Sequence, residues 1–110
     1  MILSFDKIEL RELCINENVA KLQFGMHVAL KLQTRIAELR AYNYADEILF
    51  GTPILENETA YSFPVYKVAL MIDGYNIYFC SNHIEPAIND NNVIDWSRVS
   101  RIKIIEINNN

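Results

Sequence analysis

Two histidines, two cysteines and ten lysine or arginine residues are the side chains of this 110-residue chain suited to moving protons, binding metals or holding anions. His83 follows a predicted hairpin in Ser81-Asn82-His83, where an imidazole can do general acid–base work near neutral pH. A structural role is the competing reading, and His27 falls on the polar side of a helical pattern as a surface residue. Neither histidine sits in a ligand spacing such as HxxxH or CxxC, so no metal and no zinc site is expected. Cys14 and Cys80 stand in unlike contexts and read as buried free thiols. There is no glycine-rich phosphate loop, no GxSxG elbow and no HExxH. Tyr66, Tyr75 and Tyr78 are able to stack on bases, although alternate tyrosines on strands more commonly pack a sheet.

Composition narrows the classes. Apolar residues make up 51% and charged residues 22%, which supports a packed core and a single domain over residues 1–110. The net charge of −4 is unevenly spread: residues 41–97 carry eight acids and one base, Lys67, giving 1 − 8 = −7. The first half is the more basic, but no stretch gathers bases as a dedicated nucleic-acid binder would. No apolar run approaches the ~20 residues of a membrane span, and Met1 to Asp6 has no basic leader. A soluble, cytoplasmic protein without membrane contact is the expectation, in which Asn57-Glu58-Thr59 is a sequon by coincidence.

The elements that must position these groups follow from periodicity. Residues 2–5 read as a strand, and Asp6 with Glu9 resembles a capping box opening a helix with Ile8, Leu10 and Leu13. After a break at Asn16-Glu17-Asn18, residues 19–42 read as a long helix. Its stripes are Leu22-Met26-Ala29 and Val28-Leu32-Ile36-Leu39, with Gly25 marking a division and Arg35–Glu38 a surface pair. A helical turn over 44–50 ends at a break, Gly51-Thr52-Pro53, and a polar loop follows. Residues 65–72 and 75–80 read as strands joined at Asp73-Gly74, a hairpin signal. A polar connection over 81–92 leads to Trp96, read as a largely buried anchor, and to a final strand over 99–107. The fold class is α+β: an N-terminal strand and a two-helix hairpin packed on a small antiparallel sheet.

The ending Ile94-Asp95-Trp96-Ser97-Arg98-Val99, continued by Ile102, Ile104, Ile105 and Ile107, resembles that of the HigB-like, plasmid-maintenance killer proteins of the RelE/ParE superfamily. Gly25, Ala29, Leu32, Arg35-Ile36 and Leu39, followed by residues 41–46, resemble the same branch, as does Leu10-Arg11-Glu12-Leu13-Cys14. The resemblance implies a RelE-like fold, no cofactor, and a helix-turn-helix-type antitoxin as partner in a type II toxin–antitoxin system. It also implies ribosome-dependent mRNA cleavage, in which the RNA 2′-hydroxyl attacks its neighbouring phosphate and bases on the sheet stabilise the added charge. The family's hairpin arginine falls on Asn76, its basic loop on 53–59 with Glu56 and Glu58, and its terminal histidine on the closing asparagines. These departures favour an antitoxin-bound toxin-like protein over an active nuclease. The enzymatic alternative is an mRNA interferase with Lys67 and His83 as catalytic candidates and Lys31 and Arg35 as RNA-binding candidates. A catalytically inactive RelE-fold binding or regulatory protein is the remaining alternative.

Overall fold

A computed structural model describes residues 1–54, 60–85, 87–91 and 93–109. The acids Glu56 and Glu58, the sequon at Asn57, and Pro86, Asn92 and Asn110 lie outside the described residues. The chain runs β1 (Ile2–Phe5), α1 (Ile8–Ile15), α2 (Glu17–Phe24), α3 (Met26–Ala41), a 3-10 turn (Ala45–Glu47), β2 (Gly51–Pro53), β3 (Tyr66–Ala69), β4 (Asn76–Ser81), a second 3-10 turn (Trp96–Arg98) and β5 (Arg101–Asn108). The architecture is α+β, with the strands in the order β1-β5-β4-β3-β2. The sheet is mixed rather than antiparallel: β1 runs parallel to β5, Leu3 opposite Ile102 and Phe5 opposite Ile104. Three helices and strands β2 to β4 separate these strands along the chain, so β1 meets β5 in the direction a crossover allows and a hairpin does not.

The expected two-helix unit is three helices. Gly25 sits at φ +86°, a conformation costly for residues with a Cβ, and divides α2 from α3. That division shifts the helical phase. The stripe Val28, Leu32, Ile36 and Leu39 is buried as expected, whereas Leu22 and Met26 are exposed and only Ala29 of their stripe reaches the core. Asn16, read as a break, caps α2 by accepting the amides of Asn18 and Val19 at 3.1 and 3.4 Å. The capping box at Asp6 does not form: α1 begins after Lys7 without a side-chain cap, and Asp6 Oδ1 lies 3.9 Å from Lys103 Nζ instead. The Met1 ammonium donates to the carbonyls of Leu39, Arg40 and Tyr42 at the end of α3, tying β1 to the helix it lies beside.

Gly51-Thr52-Pro53, expected as a break, is the edge strand of the sheet, with Gly51 opposite Val68. A Cβ on Gly51 would come within 2.6 Å of Tyr66 Cε1, so the close approach of β2 to β3 admits only glycine there. Pro53 is tolerated because edge strands leave one side of their backbone unpaired. The β3–β4 hairpin forms as expected: Asp73 and Gly74 both take positive φ, and Tyr75 N–H closes the turn on Ile72 C=O. The last strand spans Arg101–Asn108, two residues later in starting than its pattern suggested, because Val99 ends the second 3-10 turn.

Arg35 is the largest departure from expectation. It is 3% exposed and not available to RNA. Its Nε donates to Ala69 C=O at 2.9 Å and Nη2 to Leu70 C=O at 3.5 Å, while Nη1 donates to both oxygens of Glu38 at 3.1 Å. The Phe50 ring lies 4.2 Å from the guanidinium carbon. Arg35→Ala strands two strand-end carbonyls without a donor and is expected to cost about 3 kcal/mol in urea unfolding. Lys31→Ala, one turn away, should stay within about 0.5 kcal/mol of the parent.

Candidate functional site

The helices pack on one face of the sheet, over Leu3, Phe5, Tyr66, Val68, Ile77, Phe79, Ile102 and Ile104. Strand alternation sends the intervening side chains to the other face, which no helix covers among the described residues. Cross-strand register arranges that face in rows. Lys67 stands between Thr52 and Tyr78, and Tyr78 is opposite Glu106. In the next row Cys80 is opposite Lys103, which is opposite Ser4. Arg101 is opposite Ile2 beyond it.

The centre of the face is shaped by a β-bulge. Phe79 pairs with Ile104 but Tyr78 pairs with Glu106, so Ile105 is the extra residue in β5. Ile105 joins Val65 and Cys80 in a second small apolar cluster, against which Ile54, Tyr61 and Tyr78 pack. Glu106 then meets Tyr61, whose hydroxyl donates to Oε2 at 3.0 Å. Burial, followed by the bond and charge of Glu106, pushes the Tyr61 phenol up to about 12.

His83 and Lys67, the two catalytic candidates, are not brought together. Lys67 pairs opposite Tyr78, and His83 lies five positions further on, a span of roughly 16 Å at strand rise. His83 Nε2 accepts the amides of Ser100 and Arg101 at 3.0 and 3.3 Å. Through these two bonds the ring clasps the end of β4 to the start of β5. It lines a groove of about 310 Å³ with Cys80 and Lys103, floored on one side by Phe63 and Pro64. Lys31 and Arg35 belong to α3, in the layer on the opposite side of the sheet. The four candidate bases and acids therefore form no single site.

The bases that share this face are Lys67 on β3 and Lys103 and Arg101 on β5, two strands away, with Tyr78 between them and Tyr61 packed beside it. They are spread over the face rather than gathered, Arg101 standing roughly 16 Å from Lys67 at strand spacing and rise. Their alternation at 101 and 103 was visible in the sequence, but their sharing a face with Lys67 depends on strand order and on the bulge. Asn76 turns its amide to Gly74 C=O at 3.1 Å. Glu106 places a carboxylate among the bases. Among the described residues the face offers separated cations and rings but no paired acid and base for proton transfer.

Trp96 is half-buried rather than enclosed. Its ring meets Tyr66 edge-on at 5.0 Å and Phe79 at 5.9 Å, while those two stack at 5.1 Å. It anchors the turn before β5 as expected, and its free edge lines an apolar groove of about 320 Å³ with Ile54, Pro64 and Val93. Both cysteines are free and buried, and burial pushes the Cys14 thiol up to about 12 and Cys80 upward too. Among the described residues no three His, Cys, Asp or Glu side chains gather as a metal site, and no helix is long and apolar enough to cross a membrane. Comparison with protein-family models, with curated proteins and with solved structures returns no match.

Two measurements check this geometry. Because the folded phenol of Tyr61 is raised, its contribution to stability is complete below the ordinary tyrosine range and fades as pH climbs through about 12. Ultraviolet titration should show Tyr61 ionising late, and Glu106→Gln should bring it to lower pH. The thiols, protonated and buried, should resist a thiol reagent at pH 8 until denaturant is added.

Proposed function

We propose that this chain is the toxin-like member of a type II toxin–antitoxin pair of the RelE/ParE kind, neutralised by a helix-turn-helix-type antitoxin. The reading rests on the resemblance at residues 94–107 and in the helices, joined to one structural observation. A sheet covered by helices on a single face leaves Lys67, Arg101 and Lys103 with Tyr78 on the other, the combination of cations and ring that a single RNA strand needs. On this proposal the protein works in the cytoplasm and its open face meets mRNA, on or off the ribosome.

Cleavage is the weaker half of the proposal. Attack by a 2′-hydroxyl on phosphate needs donors aimed at the gathering charge, and losing one such donor costs about 10²–10³ in rate. Asn76 supplies no charge and Glu106 repels the phosphate. His83 already has its Nε2 occupied by two backbone amides. Binding with slow or absent cleavage is the form these residues favour, as in a catalytically silent relative.

The protein is expected to co-purify with the product of a neighbouring helix-turn-helix gene. Expressed alone, it should bind single-stranded RNA with little cleavage of mRNA on translating ribosomes. Lys67→Ala with Lys103→Ala should flatten the salt dependence of RNA binding by about 1.4 in log–log slope, the value for two lost phosphate contacts. Lys31→Ala, on the other side of the sheet, should leave that slope unchanged. Equal slopes for all variants would refute the open face as the RNA surface, and rapid cleavage abolished by Lys67→Ala or His83→Ala would establish an interferase instead.

A further inference from the structure

The edge of the sheet at β1 is free of any partner strand among the described residues. The amides of Ile2 and Asp6 donate to Ser100 and Ile104 of the β5 side, so alternation turns the N–H and C=O groups of Leu3 and Phe5 outward. Beside that edge α1 and the end of α3 form a groove of about 390 Å³. Its charged lining is Lys7, Arg11 and Arg40, with no acid, in a molecule whose net charge is −4. Ile8 is 75% exposed and Ile15 45% exposed on the same wall.

From these observations we infer that the β1 edge is a docking site for an extended acidic peptide segment, which adds to the sheet as a sixth strand. The backbone groups of Leu3 and Phe5 are two residues apart, the repeat at which a paired strand offers its own amide and carbonyl. Alternate side chains of such a peptide point toward α1, where Ile8 and Ile15 receive apolar residues and the three bases receive carboxylates. The bases are available for this: Arg11 approaches Glu12 only at 3.9 Å, and Lys7 and Arg40 have no ion pair among the described residues. A second copy of this chain is disfavoured as occupant, because pairing two β1 edges would set the same bases against one another. A nucleic acid would use the bases but not the strand-edge amides or the isoleucines. The inference does not rest on the toxin-like reading, which concerns the open face of the sheet rather than this edge.

The test follows backbone amide signals of the full-length ¹⁵N-labelled chain during titration with a blocked peptide, Thr-Glu-Thr-Ile-Thr-Glu-Thr, whose carboxylates and isoleucine fall at alternate positions and so share one face of the added strand. Leu3 and Phe5 should shift first, with weaker binding as salt rises. Arg11→Glu with Arg40→Glu should weaken binding roughly tenfold or more, as two opposed charges at an interface rim do. If that pair melts earlier than the parent, Lys7→Glu alone serves, with a smaller loss in the same direction. Peptides N-methylated at alternate amides should bind in one register and fail in the other. Shifts centred elsewhere, no saturable binding, affinity indifferent to the charge reversals, or a short oligouridylate that binds this groove more tightly than the peptide would each overturn the proposal.

Discussion

The Arg35 guanidinium is the buried polar link across the apolar core that packs the helices on the sheet. Arg35 leaves α3, reaches across the core boundary and takes the carbonyls of Ala69 and Leu70, where β3 ends and its hairpin begins. Glu38 neutralises it from one turn further along the same helix, and Phe50, just before β2, closes over its face. A buried cation is tolerated only when every direction of its fork is answered, and here helix, strand end and ring all answer it. The start of the hairpin is therefore tied to the place on α3 from which one side chain leaves.

The other face of the sheet is held by the strand ladders, which fix the rows of Lys67–Tyr78–Glu106 and Cys80–Lys103–Ser4, and Arg35 fastens the end of β3 in that ladder to α3. The bulge at Ile105 adds a local adjustment, moving one isoleucine into the small second cluster and bringing Glu106 within reach of Tyr61. A face so arranged holds bases at fixed separations with a carboxylate among them, which suits binding better than phosphoryl chemistry.

Much of the fold was legible because it depends on local rules. Asp73-Gly74 dictates a tight turn, and Val28, Leu32, Ile36 and Leu39 mark one buried helical face. What escaped depends on partners distant in sequence. Nothing near residues 2–5 says that their neighbour is 101–104 or that the two run parallel. Gly51 and Pro53 carry the marks of a break, and only the proximity of Tyr66 makes them a strand. Arg35 three residues before Glu38 looks like a surface pair until strand-end carbonyls meet it. The site was harder still. Lys67 and His83 were recognisable as polar residues on strands and loops, but their separation along β4, and the company Lys67 keeps with Lys103, are properties of strand order.

The place of β5 in that order has a consequence for how the molecule is made. It lies between β1 and β4, yet it is the last of the described elements to leave the ribosome. Until residues 101–108 emerge, the first strand has no neighbour and the β3–β4 hairpin has one unsatisfied side. The helices meanwhile hold an apolar face over a sheet that has not closed. Local structure can form early during synthesis, but the ladder that joins β1 to β5 waits for residues 101–108, and contacts of such long sequence separation form slowly. The seams that β5 makes with β1 and β4 therefore stay open until residues 101–108 have been synthesised.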